Sequence, residues 1–149
     1  MTNRAFLPAR CAYAYHRYGR ACDNHDLEAL RALAVDDVQF SITGPVVKHG
    51  HGIEAFLDLY RAHDPRVATR HVISGVLAEQ DGVDIRTHAH FEATVFGASG
   101  TRITYGVYRN VLRESGDGTL LIVNHIIQVE RRLELPATVA VDPTVSPRS

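Results

Sequence analysis

Residues 67–82, VATRHVISGVLAEQDG, form a long and largely apolar stretch with one histidine, His71, near its start. Successive side chains of a β-strand point to opposite faces, so one face carries Thr69, His71, Ile73, Gly75 and Leu77. Both faces are mostly apolar, and we therefore predict a strand that is covered on both sides. Among such neighbours His71 is either a hydrogen-bonded core residue or a buried acid–base group, and the strand alone favours the core residue.

The rest of the chain divides into helices followed by strands. Downstream, three more β segments cover residues 83–96, 101–114 and 119–132, with hairpin-forming breaks between them. Upstream, helical spacing predicts helices over residues 9–24 and 27–34 and from residue 53 to the stop at Asp64-Pro65, with a short strand over 38–42. Helices followed by an antiparallel meander indicate an α+β fold, with the helices on one face of a curved sheet.

One domain over residues 1–134, followed by an irregular tail over 135–149, is the predicted organisation. The tail carries Pro136, Pro143 and Pro147, which oppose regular structure. Helices that lean into a strongly bent sheet leave its concave side partly empty. We therefore expect a cavity that is open at one end.

The composition limits the partners that the chain can attract. Its 149 residues suit one domain with a substantial core. Its 16 Lys and Arg against 17 Asp and Glu give no charge excess that would steer it onto nucleic acid or an anionic membrane. No segment approaches the ~20 apolar residues of a membrane span, and the N-terminus lacks the apolar run of a signal peptide. We expect a cytoplasmic protein.

The two cysteines agree with a reducing compartment. Cys11 and Cys22 fall on one predicted helix, 11 positions apart. This separation is about 16 Å at 1.5 Å per residue, too far for a disulfide. We predict reduced, buried thiols.

A resemblance to a known family rests on two segments, ACDNHDLEALRALAVDDVQFSITG (21–44) and ATRHVISG (68–75), and on the hairpin-linked strands after them. Over residues 9–132 the chain resembles the SnoaL-like branch of the NTF2-like superfamily, and within it scytalone dehydratase and hexachlorocyclohexane dehydrochlorinase. The resemblance implies a cone of three helices packed in the concave face of a curved, mostly antiparallel sheet. Those enzymes carry an Asp before the second helix and a His at the start of the following long strand, where this chain has Asp23 and His71.

The chain departs from those relatives at other positions. The tyrosines that hold a water in scytalone dehydratase correspond to Cys22 and Ile42, which cannot do so. The helix lysine of the dehydrochlorinase corresponds to Tyr18, and its late-strand arginine to Arg109 or Arg113. The resemblance therefore transfers the acid–base pair alone.

The pairing of Asp23 with His71 also has a physical basis. Asp23 lies at the edge of the buried face of the first helix, and an unpaired ionised group in a dry site is costly, so each residue needs a partner. A carboxylate that accepts the proton of one imidazole nitrogen fixes the tautomer and leaves the other nitrogen free as a base. We predict that His71 is a general base oriented by Asp23, the alternative being a structural hydrogen bond.

Aromatic side chains at inward positions are candidate pocket walls, although buried aromatics are also ordinary core material. His125, on the last strand, is a second histidine expected at the cavity, and His16 could line it too. His49 and His51 lie in a glycine-flanked loop that we expect to be solvated. The candidate substrate contacts are Tyr15, Tyr18, Phe40, Phe56, Tyr60, Phe91, Tyr108 and His125.

No motif for a metal or a nucleotide cofactor stands out. His88, His90 and Glu92 lie on one face of a predicted strand and could offer metal ligands. The apolar residues of that strand lie on its other face, which is the one that faces the helices. We therefore expect His88, His90 and Glu92 on the convex face of the sheet, and no third ligand at a diagnostic spacing supports a metal site. Phosphate-binding glycine loops and nucleophile elbows are absent from the sequence, so no cofactor is expected.

Cofactor-free proton chemistry is the simplest remaining reaction class: abstraction of a carbon-bound proton followed by elimination, isomerisation or ring closure. We expect a homodimer or homotrimer that acts on a small, mostly apolar cyclic molecule. One alternative is a non-catalytic small-ligand binding protein, or a protein like the small subunit of aromatic-ring dioxygenases. Another is epoxide hydrolysis, which needs a second acid on the sheet, whereas Asp84 is expected to face away.

Overall fold

A seven-stranded, mostly antiparallel sheet with three helices against it makes up the fold, in a computed structural model that describes residues 4–137. A 3₁₀ turn, Arg4–Phe6, leads into the first helix. The helices are α1 (Leu7–Asp23), α2 (Leu27–Arg31) and α3 (Ile53–Arg61). The strands are β1 (Ala34–Thr43), β2 (Lys48–His51), β3 (Ala68–Asp81), β4 (Asp84–Gly97), β5 (Gly100–Tyr108), β6 (Val111–Glu114) and β7 (Leu120–Pro136).

The sheet runs in the order β2-β1-β7-β5-β4-β3, and β6 pairs with β4 and β7. All pairs are antiparallel except β1 with β7. The predicted α+β cone, with three N-terminal helices in the concave face of a curved sheet, is confirmed. β7 continues through Pro136, which pairs with Gly100, so the sheet extends two residues into the predicted tail. The rest of that tail lies outside the described residues.

Helix α1 packs directly across β3 because Gly19, beside its buried stripe, has no side chain. Cys11, Tyr15, Tyr18 and Cys22 form this stripe. A Cβ placed on Gly19 would lie 3.3 Å from the Cβ of His71, so the helix and the strand come close at this point. The end of α1 is thereby brought beside the start of β3.

Helix α2 is shorter than predicted. Asp26 caps it, accepting a hydrogen bond from the backbone N–H of Ala29 at 2.9 Å. The helix ends at Arg31 because the Leu33 carbonyl accepts a hydrogen bond from Ile122 of β7, which draws the chain into the sheet. The strand β1 then begins at Ala34, four residues before its predicted start.

The predicted alternation of β3 is wrong beyond Ser74. A bulge with Gly75 at φ +64° shifts the register between Ser74 and Leu77, so Val76 faces the core and Leu77 is 68% exposed. The expected cover on both sides is also wrong for the single chain, because Val72 on the outer face is 53% exposed.

Two further strand predictions are wrong. The loop predicted around His49 and His51 forms the short strand β2, which pairs with β1. The strand predicted over residues 101–114 is broken at Arg109 and Asn110. The break follows from Asn110, whose carbonyl oxygen accepts hydrogen bonds from the backbone and the side chain of Thr87 instead of a ladder partner.

The core lies between the helices and the concave face of the sheet. On β4 the buried residues are Ile85, Thr87, Ala89 and Phe91, whereas His90 is exposed, as the predicted parity requires. None of the helices in the described part of the chain is long and apolar enough to cross a membrane.

Candidate active site

A cavity of about 590 Å³ lies between α1, α3 and the concave face of the sheet. Its apolar wall consists mainly of aromatic and branched side chains, and its open end carries most of the charged ones. The apolar and aromatic lining residues are Tyr18, Cys22, Ile42, Val46, Leu59, Tyr60, Val67, Phe91, Ala93, Val95, Tyr108, Ile127 and Val129.

Asp23 and His71 meet at one side of this cavity. The Nδ1 of His71 lies 2.7 Å from Oδ1 of Asp23, and the two side chains are only 16% and 18% exposed. His71 lines both this cavity and an outer groove, and the groove also contains Asp23 and His16. A carboxylate is an acceptor, so Nδ1 carries the proton, and Nε2, which bonds to none of residues 4–137, holds a lone pair.

The carboxylate of Asp23 is fixed by two more donors. Thr69 donates from Oγ1 to Oδ1 at 3.1 Å, and the backbone N–H of His71 donates to Oδ2 at 3.0 Å. The alternation of β3 places Thr69 and His71 on the same face, so both reach the end of α1. With three hydrogen bonds to its two oxygens, the carboxylate holds the imidazole in one orientation.

A second histidine lies at the floor of the cavity behind two tyrosines. Asn110 Oδ1 accepts the backbone N–H of Ile126 at 3.1 Å, and it lies 3.0 Å from Nδ1 of His125. His125 therefore carries its proton on Nδ1, and its Nε2 accepts from Tyr18 Oη at 3.2 Å. Tyr60 Oη lies 3.0 Å from Tyr18 Oη and 3.4 Å from the same Nε2.

This cluster is neutral over the physiological range. Burial is the main cause that lowers the pKa of His125 to about 3. Burial also raises the pKa values of Tyr18 and Tyr60 well above their usual range. The two phenols therefore keep their protons: Tyr18 donates its single proton to His125, and the Tyr60 hydroxyl is the donor that can turn towards the cavity.

Half of the predicted substrate contacts line this cavity. Tyr18, Tyr60, Phe91 and Tyr108 do so, and Cys22 and Ile42 also belong to the wall. The others are held elsewhere. Tyr15 hydrogen-bonds Thr87 at 2.6 Å, and Phe40 packs against Gly50. Phe56 is fully buried on the inner face of α3, and His125 lies behind the tyrosines.

The remaining candidates of the sequence lie outside the cavity. His49 and His51 are exposed on β2, and Arg113 binds Asp84 at 2.7 Å. The rings of His88 and His90 are 5.2 Å apart on the outer side of β4. Across residues 4–137, no three His, Cys, Asp or Glu side chains converge into a metal site.

Sequence patterns missed the charged part of the wall. Its members are His25, Lys48, His63, Asp64, Arg102 and Arg132. The alternation of β5 could have indicated Arg102 as inward-facing, with Thr104 and Tyr108. Arg132 could not have been found in this way, because the register shift between β5 and β7 reverses the parity of β7 beyond Val129. Lys48 could not have been found in this way, because β2 itself was not predicted.

The fold and the site together define a class: cone-shaped α+β proteins that enclose a small-molecule cavity with a histidine–carboxylate pair in its wall. The chain matches the SnoaL-like domain family over residues 9–125, and it belongs to that family. A sequence comparison with curated proteins finds no match.

Solved structures share the fold at low sequence identity. A hexachlorocyclohexane dehydrochlorinase of type 2 is 16% identical with a TM-score of 0.77, over 95% of this chain and 97% of that one. A candidate scytalone dehydratase from Novosphingobium aromaticivorans is 17% identical with a TM-score of 0.76, over 99% and 100%. A Mycobacterium tuberculosis protein of unknown function is 24% identical with a TM-score of 0.72, over 83% and 71%.

Proposed function

We propose that the protein is a cofactor-independent acid–base enzyme, a dehydratase, isomerase or cyclase, acting on a small, mostly apolar cyclic molecule. The observation that carries the proposal is the 2.7 Å contact between Asp23 and His71, with His71 in the wall of the cavity. A histidine with a fixed tautomer, a free Nε2 and a half-buried carboxylate behind it is arranged as a general base.

In the proposed reaction, Nε2 of His71 removes a carbon-bound proton next to an activating carbonyl group of the substrate. The imidazolium that forms is stabilised by Asp23, whose negative charge lies at hydrogen-bond distance. The electron pair left on carbon then forms a double bond with loss of a leaving group, moves along the ring, or closes a new bond. Tyr60 supplies a hydroxyl group in the same wall that can stabilise the developing oxyanion, whereas Tyr18 donates its own proton to His125.

The structural neighbours support this reaction class only as relatives in fold. Two of them are named for eliminations, one as a dehydratase and one as a dehydrochlorinase. Elimination begins with the same proton removal, which a single His71–Asp23 pair can perform.

The decisive experiment replaces the base without disturbing its surroundings. We expect His71→Gln to lower kcat at least about 10²-fold on any cyclic hydroxy-ketone or halogenated substrate that the wild-type protein converts. The melting temperature should stay close to that of the wild type. His90→Gln, on the exposed outer face of β4, is the matched control and should leave kcat unchanged. Equal activity of His71→Gln and wild type would contradict the proposal.

The alternative function is non-catalytic ligand binding, alone or as a small subunit of a ring-hydroxylating dioxygenase. A ring-hydroxylating dioxygenase β subunit shares the fold at 16% identity with a TM-score of 0.69. We propose instead a homodimer or homotrimer. We also propose a cytoplasmic location, which the buried free thiols of Cys11 and Cys22 support because such thiols persist in a reducing compartment. Sedimentation velocity distinguishes the two assemblies: the proposal predicts a discrete homo-oligomer, and a stable complex with a larger subunit supports the alternative.

A further inference from the structure

The charged residues of the cavity wall are mostly positive. Lys48, Arg102 and Arg132 line the cavity, and the side chains of all three are exposed at its open end. The one acidic residue among the lining residues, Asp64, is bound by Arg66 at 3.0 Å. Arg102 has only a loose ion pair, 3.7 Å from Glu134, and Glu134 does not line the cavity.

The sheet register connects these cations to the proposed base. His71 pairs with Ala93, Ala93 with Thr104, and Thr104 with Arg132, so all four residues lie in one row across β3, β4, β5 and β7. Each of these four residues lines the cavity. Three strand spacings amount to roughly 14 Å along a flat sheet, and curvature shortens this distance across the hollow.

The neighbouring row toward the open end repeats this arrangement. Thr69 pairs with Val95, Val95 with Arg102, and Arg102 with Glu134, so Arg102 stands on the strand next to that of Arg132 and two residues along the sheet from it. Between these two arginines and His71 the wall carries Phe91, Ala93 and Val95 on β4 and Thr104 on β5. The cavity therefore offers a mostly apolar middle, a base on one side and two neighbouring arginines on the other.

We propose that the ligand of this cavity is an anion: an apolar ring system of about two fused rings whose carboxylate binds Arg102 and Arg132. Planar guanidinium groups bind carboxylates through paired, charge-assisted hydrogen bonds. Lys48, on β2, adds a third positive charge to the cavity wall. The anion is the substrate class of the function proposed above. Its conversion depends on that proposed function, whereas its binding does not.

The surroundings of His63 agree with a positive field in the opening. Its pKa is lowered first by burial and further by neighbouring positive groups, among them Arg102 and Lys48. An anion bound there would offset the charges of these two residues.

The test measures binding rather than turnover, so that its failure can be told apart from failure of the proposed enzyme activity. Calorimetry with 2-naphthoate and with its neutral isostere 2-naphthamide should show naphthoate binding roughly tenfold more tightly, as expected for a charged hydrogen bond. Arg102→Gln and Arg132→Gln should each remove most of this difference while leaving naphthamide affinity unchanged. His71→Gln should keep the preference for naphthoate over naphthamide.

Arg86→Gln is the matched control, because Arg86 is exposed on β4 and bound to Asp81, away from the cavity. It should leave the affinity for both probes unchanged. Equal affinity of wild-type protein for naphthoate and naphthamide would overturn the proposal, as would displacement of naphthoate by inorganic phosphate at equal concentration. Preferential naphthoate binding without turnover of any substrate would support the anion site and weaken the enzyme proposal alone.

Discussion

At the scale of single residues, the chemistry depends on which nitrogen of His71 carries the proton. Asp23 accepts from Nδ1, and so Nε2 is left unprotonated. An asparagine at position 23 can donate a hydrogen bond instead, and this would favour the tautomer that is protonated on Nε2.

Asp23→Asn should therefore lower kcat by about 10²- to 10⁴-fold, because the general base is held in the wrong tautomer and its cation loses its counterion. Steady-state kinetics measure the effect, and thermal unfolding shows whether the fold is retained. Asp26→Asn is the control, since asparagine caps α2 as well as aspartate does and position 26 is exposed. A folded Asp23→Asn protein with wild-type kcat would exclude this role of Asp23.

The sequence predicted this contact because both residues are ionisable groups at buried positions, and such groups need a partner. Thr69 shares the inward face of β3 with His71, yet its bond to Asp23 depends on how α1 crosses the strand. The Asn110–His125–Tyr18 network could not be predicted, because it requires the break after β5 to place Asn110 beside β7.

At the scale of elements, the long strands and the first helix could be predicted from apolar spacing, whereas irregularities within the strands could not. The bulge at Gly75 changes which side chains face inward, and alternation contains no signal for it. Strand β2, with the sequence Lys48-His49-Gly50-His51, is polar and has no apolar face. It is a strand because β1 offers it backbone hydrogen bonds.

A second irregularity, at Gly106 on β5, gives an element-scale prediction. The register between β5 and β7 shifts there, and a Cβ at this position would lie 2.1 Å from the Gln128 carbonyl oxygen and 2.7 Å from the Phe91 ring. Gly106→Ala should lower the free energy of unfolding by about 3 kcal/mol, because backbone and ring must both move. Urea unfolding measures the loss.

Gly116→Ala is the control for this substitution, because a Cβ on Gly116 meets no described atom within 4 Å. It should change the free energy of unfolding by less than about 0.5 kcal/mol. Similar stabilities of the two variants would mean that β5 and β7 are not packed as closely as the register indicates.

At the scale of the whole molecule, the near-neutral composition hides a separation of charge. The sequence has 16 basic against 17 acidic residues, and this balance predicts no charged partner. The fold nevertheless brings Lys48, Arg102 and Arg132 from three strands to one opening. A total charge cannot reveal such a site, because it depends on the order of the strands in the sheet.

The buried His125 makes the stability of the molecule depend on pH. Its pKa in the folded state is about 3, against an ordinary value of 6.5, so below pH 6.5 the unfolded chain takes up a proton that the folded chain refuses. The free energy of unfolding should therefore fall as the pH drops from 6.5 towards 3, by up to about 1.4 kcal/mol per pH unit for this one group.

His125→Gln should flatten this pH dependence, since glutamine can still donate to Asn110 but does not titrate. Urea unfolding of both proteins across this pH range measures the two slopes. His63, whose pKa is also lowered by burial, contributes a slope of the same sign, but it is present in both proteins and cancels in the comparison. His90→Gln, at an exposed position, should keep the wild-type slope. If the free energy of unfolding of His125→Gln and of the wild type followed parallel pH profiles, His125 would take up its proton without unfolding. The tyrosine network at the cavity floor would then have to rearrange in the folded state.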